Sequence, residues 1–128
     1  MESEGAGLER FLAGEVDPRR FPHREHLRMS FEMLRVYDFP ESVLHYSRAL
    51  QRMTARAGVP AVFNQTITVA FLALVAERLQ LDAYPDFAAF EAAHPDLLDR
   101  SILGRWYAPE RLATEVAHRV FVLPPATR

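Results

Sequence analysis

The sequence predicts an all-α fold, a single-domain irregular helical bundle built around one buried central helix. Two observations lead there. The stretch Ala57–Ala76, AGVPAVFNQTITVAFLALVA, carries no charged residue although the chain on either side is charged every few positions. Proline, glycine and aspartate also punctuate the chain at helix-length intervals, with no repeat, low-complexity segment or linker between them. At 128 residues the chain matches the length of one domain and can bury one substantial core. It is read as a single domain over 1–128, with 1–7 a flexible N-terminus and 120–128 an extended tail.

Composition removes several classes of function. The net charge of −2 and pI near 6.2 give no basic footprint for nucleic acid. With no cysteine there is no disulfide, thiol nucleophile or cysteine-ligated cluster. All 15 basic residues are arginine, so lysine-imine chemistry is absent. A membrane span needs about 20 continuous apolar residues, and Gly58, Pro60 and the Asn64–Thr68 polar group interrupt the only candidate. MESEGAG lacks the basic and apolar regions of a signal peptide. A cytoplasmic protein without membrane or nucleic-acid partners is therefore expected.

Taken in order, Leu8, Phe11 and Leu12 fit one amphipathic turn that Gly14 and Asp17-Pro18 end. Pro22 suits the first turn of a second helix, running to about Tyr37. At about 100° per residue, Arg24, Glu25, Arg28, Glu32 and Arg35 point outward. His23, His26, Leu27, Ser30, Met33, Leu34 and Tyr37 face the core.

Asp38-Phe39-Pro40-Glu41 has the form of a capped helix start, and Gly58 of its C′ residue. This third helix buries Val43, Tyr46, Ser47, Leu50, Met53 and Ala57, and leaves His45 toward solvent. The central helix follows from about 61 to 81, apolar all round from Val69 to Ala76 and so packed on several sides.

Pro85 opens a short helix, Asp86 to Ala93, which stops before Pro95. Asp96 to Tyr107 is expected as one or two short turns, with Trp106 and Tyr107 closing the core. Pro109 starts a last helix, APERLATEVAHRV, with Leu112 and Val116 inward. The tail Val120–Leu123 is apolar and needs cover, from its own bundle or from a second copy in a homodimer.

Two features carry the candidate chemistry. His23 and His26, one i, i+3 step apart, bring two imidazoles to one side of the second helix. The structural alternative is that His23 caps the helix and His26 makes one buried hydrogen bond. At the start of the central helix, Asn64, Gln65, Thr66 and Thr68 need partners or a wet cavity. Asn64 also suits an N-cap. Gln65 and Thr68 share an otherwise apolar face, which marks a pocket edge or a buried network. His94 and His118 read as structural or solvated.

F-P-H-R-E-H-L-R together with F-N-Q-T-I-T-V-A-F-L-A-L-V-A-E-R resembles a group of small, largely uncharacterised bacterial all-α proteins. Their second motif is closer to Y-H-E-T-I-T-W. The resemblance spans roughly Phe21 to Arg78, with a weaker echo in PDLLDRSIL and WYAPE. It implies a shared bundle with a site between His23, His26 and the central helix start, without supplying a reaction. Where that group has histidine and glutamate, this chain has Asn64 and Gln65, which are poor ligands for a transition metal.

The expected function is therefore binding of a small organic molecule between the second and central helices, by a metal-independent acid–base enzyme. A cyclase, isomerase or lyase of a bacterial biosynthetic pathway fits. His23 and His26 would carry protons. Asn64 and Gln65 would orient substrate or stabilise an oxyanion, and Ser30, Tyr37, Tyr46 and Thr68 would surround it. Two alternatives stand beside this. One is a metal enzyme holding zinc, iron or manganese through His23, His26 and a third ligand such as Asp38, Glu77 or Asp99. The other is a non-catalytic accessory subunit with Trp106 and the tail as an apolar contact face.

Overall fold

The computed structural model describes residues 4–126, the side chains of 4–6 excepted. Seven α-helices are found among them: α1 Glu4–Leu12, α2 His23–Val36, α3 Phe39–Arg56, α4 Gln65–Leu79, α5 Phe87–Ala93, α6 Pro109–Leu112 and α7 Glu115–Arg119. Single 3-10 turns lie at Pro18–Arg20, Pro60–Val62, Pro95–Leu98 and Ile102–Arg105. No strand occurs among the described residues, and no helix is long and apolar enough to cross a membrane. The fold is all-α.

The predicted punctuation acts as expected in the third helix. The Asp38 carboxylate accepts the Glu41 N–H at 3.0 Å, which satisfies one free donor of the α3 N-terminus. At the other end Gly58 takes φ +78°, a left-handed conformation that glycine adopts without a Cβ penalty. Gly14 also sits at positive φ, and a Cβ there would meet the Arg52 Cβ at 2.8 Å. That close approach lets the end of α1 lie against α3.

α1 starts at Glu4 and is longer than the one turn predicted; residues 1–3 lie outside the described ones. α4 starts at Gln65 rather than near 61, because Asn64 turns its side chain back to cap Ile67 N–H at 3.0 Å. No residue from Val69 to Ala76 is exposed. The reason is that the core has two halves with α2 and α4 as the wall between them. One half joins Leu27 and Phe31 to Phe71, Leu74, Val75, α5 and the 97–107 turns. The other joins Met29 and Met33 to Leu72, α1, Phe21 and α3, with Phe11 stacked on Phe21 at 5.3 Å.

This two-sided burial corrects the faces predicted for α2. Met29 and Phe31 are fully buried beside the expected stripe, and Glu32 is buried instead of outward. Arg24 is outward but used: it pairs with Glu91 of α5 at 2.6 Å and lies over the Phe87 ring.

Three further expectations change in the C-terminal third. Tyr107 closes the core at 4% exposure, while Trp106 is 44% exposed. The last helix divides into two, because Thr114 accepts the Ala117 N–H and restarts the helix as a cap. The restart rotates the inward face, so Ala117 is buried and Val116 is 59% exposed. His94 receives an N–H from Arg78 at Nδ1 and meets the Tyr84 hydroxyl at Nε2. Burial and the Arg78 charge hold it below the ordinary histidine range, in keeping with a structural role.

The tail backbone is tied to its own bundle, while the side chains of Val120, Phe121 and Leu123 stay exposed. The fully buried Thr66 hydroxyl donates to the Val120 carbonyl at 2.8 Å and accepts the Val122 N–H at 3.0 Å. Tyr107 donates to the Val122 carbonyl, and Arg111 donates twice to that of Leu123. Thr66→Val keeps the shape and removes both bonds, leaving the tail backbone unsatisfied. We expect a loss of about 1–3 kcal/mol in urea denaturation and faster hydrogen exchange at the Val122 amide. Unchanged stability and exchange would mean that the tail is not held this way.

Candidate functional site

The two half-cores do not close over the N-terminal ends of α2 and α4. There, a cleft of about 690 Å³ remains, bounded by 18–23, α3 from Tyr46 to Thr54, 62–71 and the turn at 100–103. Its size lies within the usual range for small-molecule sites. Most of the wall is apolar, including Phe21, Leu50, Met53, Ile67 and Phe71. His23 and His26 both line it, as their spacing predicted.

His26 is the more constrained of the two. Its backbone carbonyl accepts the Ser30 hydroxyl at 2.7 Å and the Tyr46 hydroxyl at 3.0 Å. A carbonyl has no proton to give, so Tyr46 spends its one hydrogen there. The His26 Nδ1, 3.3 Å from the same hydroxyl oxygen, is then the donor of that contact. Neutral imidazole carries one proton, which leaves Nε2 as a bare lone pair. Nε2 makes no hydrogen bond among the described residues. Phe21 packs edge-on against the ring at 4.5 Å.

Burial, followed by the charges of His23 and Arg100, lowers the His26 pKa from 6.5 to about 4. Removal from water disfavours the cation, so the ring is neutral at pH 7. Burial also pushes the Tyr46 phenol up, well out of the physiological range. Tyr46 is therefore a fixed hydroxyl and not a proton source.

His23, in the first turn of α2, donates from Nε2 to the Leu97 carbonyl at 2.8 Å and packs against Phe71. It does not cap the helix; Pro22 occupies that position without a side-chain bond. Half of its chemistry is thus spent fastening α2 to the Pro95–Leu98 turn.

The remaining predicted residues divide clearly. Tyr46 lines the cleft, and Ser30 supports it from behind, fully buried. Thr68 lines it but donates back to the Asn64 carbonyl at 2.8 Å. Asn64 lines it with both ends of its amide engaged: Oδ1 caps Ile67, and Nδ2 donates to the Leu112 carbonyl at 2.7 Å. Gln65 turns away to donate to Ser47 Oγ at 2.9 Å and is not part of the wall. Gln65 is therefore outside the cleft, while Asn64 keeps one N–H of its NH₂ beyond the bond to Leu112.

Tyr37 is not at the site. It follows the end of α2, eleven positions beyond His26 and about 16 Å along the axis, and its ring packs on His45 at 4.5 Å. His45 is accordingly half-buried and not solvent-facing.

No group of three histidine, cysteine, aspartate or glutamate side chains placed to hold a metal occurs among the described residues. The proposed third ligands are used otherwise: Asp38 caps α3, and Asp99 accepts the N–H and hydroxyl of Ser101. Glu77 lies in the last turn of α4, at the end opposite the cleft.

Arg19, Arg100 and the apolar residues of the wall were absent from the sequence-based set of site residues. Arg100 lies in the loop between two 3-10 turns, where no helical period marks it. The burial of Leu97, Ile102 and Leu103 on either side swings it to the cleft. Comparison with protein-family models, curated proteins and solved structures finds no match for this chain.

The state of His26 makes stability depend on pH. Its folded pKa is depressed, so its contribution is complete above about pH 6.5 and is lost as pH falls toward 4. From those two values we expect about 2 kcal/mol less stability at pH 5 than at pH 8, read by urea denaturation. His94 acts in the same direction, so His26→Gln should flatten the slope without abolishing it. Equal slopes in the two proteins would show that His26 is not held neutral by the fold.

Proposed function

We propose that the protein binds a small, mainly apolar organic molecule in this cleft and uses His26 to move a proton on it. The observation that carries the proposal is the bare Nε2 of His26 on the cleft wall, with Nδ1 fixed by Tyr46. A general base needs an oriented lone pair within reach of the reacting atom. Nε2 has that orientation without any motion of α2.

In such a step Nε2 takes a proton from the bound molecule, and the electron pair stays on the ligand. The imidazolium then returns the proton at another position or to a leaving group, which describes an isomerase or a lyase; closing a ring on the electron pair describes a cyclase. The low pKa makes His26 a weak base in the empty cleft. A ligand carrying negative charge would oppose the effects of Arg100 and His23 and strengthen it. Met53, Phe71 and Ile67 would exclude water from the apolar part.

An accessory-subunit role rests on the outward side chains of Val116, Val120, Phe121 and Leu123. The tail backbone is already bound to its own chain, so that reading has less support.

A fragment screen followed by NMR tests the proposal. Binders should shift the His26 ring and Met53 methyl signals together. His26→Gln should weaken binders that donate a hydrogen bond by about tenfold. Binders confined to the separate groove around Pro60, His118 and Arg119, with His26 and Met53 unmoved, would place the site elsewhere.

A further inference from the structure

We infer that the cleft selects monocarboxylates with an alkyl or aryl body, and that Arg100 is the residue that recognises the carboxylate. This deepens the proposed use of the cleft and rests on it. The cleft wall contains Arg19, His23, His26 and Arg100 but no aspartate or glutamate. The chain as a whole is acidic at −2, so the positive wall is a local arrangement and not a reflection of net charge.

The two arginines are not equivalent. Arg19 is engaged by Asp17, whose carboxylate accepts both its backbone N–H and its Nε at 3.0 and 3.2 Å. The neighbouring Asp99 accepts the Ser101 N–H and hydroxyl at one oxygen, Oδ1. Arg105 goes to Asp96, which is also held in a two-bond pair by Arg78. Arg100 makes no ion pair or hydrogen bond with any described residue. One wall arginine without a partner among the described residues, placed over an apolar wall, matches a ligand with one negative charge.

A carboxylate is satisfied by the two-pronged donor of a single guanidinium. With the carboxylate on Arg100, the apolar body would pass over Leu103, Ile102 and Phe71, which line the same cleft as His26.

The test uses matched pairs that differ only in charge: decanoate with decanamide, and indole-3-acetate with indole-3-acetamide. Affinities are measured by calorimetry at low salt for the wild type, Arg100→Gln, Arg100→Lys and Arg19→Gln. Arg100 is exposed, so its replacement leaves the core untouched. The expected result is a carboxylate preference of about tenfold or more in the wild type. Arg100→Gln should abolish that preference with amide binding unchanged, Arg100→Lys should retain part of it, and Arg19→Gln most of it. Amides binding as tightly as carboxylates, or a preference that survives Arg100→Gln, would overturn the assignment of Arg100 while leaving the cleft a binding site. Failure of all four compounds to bind the wild type would overturn the use of the cleft itself and this inference with it.

Discussion

The structure depends on how the first turns of α4 are fastened. A helix that is apolar on every side has to be covered on every side, yet four polar side chains precede its apolar part. Each becomes a tie to another segment or to the helix itself. Asn64 caps the helix and holds the α6 carbonyl of Leu112, Gln65 holds Ser47 on α3, and Thr66 holds the tail through two backbone bonds. Thr68 closes the turn onto Asn64. A buried polar group is costly only while it lacks a partner, and here the partners come from both the preceding and the following chain. The cleft lies beside this junction, with Asn64 and Thr68 in its wall.

The same fastening decides which residues remain free for chemistry. Polar groups that the sequence placed at the site are mostly used in holding it together: Asn64, Gln65 and Thr68 on α4, and one nitrogen of His23 on α2. What remains available includes a neutral imidazole nitrogen on His26, held in orientation by Tyr46, and the guanidinium of Arg100. One group suits proton exchange and the other charge recognition. Burial, then the charges of His23 and Arg100, depress the His26 pKa, so ligand charge and proton affinity are coupled at this site.

Much of this was legible in the sequence where one local rule decides the outcome. Asp38 and Gly58 bound α3 through capping chemistry, and the uncharged run became the buried helix. The inward faces of His26, Ser30 and Tyr46 followed from helical period. The sequence failed where a segment faces two neighbours at once. A one-sided period gave Glu32 to solvent and passed over Phe31, because it assumes one core per helix and α2 serves two. Thr114 was overlooked as a helix restart inside an apparently continuous pattern, which misplaced Val116. Tyr37 shared the face of His26 but lies too far along the axis to share its site. Arg100 could not be found from periodicity, since its position depends on how Leu97, Ile102 and Leu103 bury the turns around it.

The central claim is that His26 stands neutral, with its proton on Nδ1 and Nε2 open to the cleft. Nitrogen NMR of the imidazoles at pH 7 tests it most directly, with His26→Gln assigning the signals. The structure predicts a protonated Nδ1 and an unprotonated Nε2 that persist down to about pH 5. A His26 signal carrying its proton on Nε2, or both nitrogens protonated at pH 7, would contradict the account, because the cleft would then hold no oriented base.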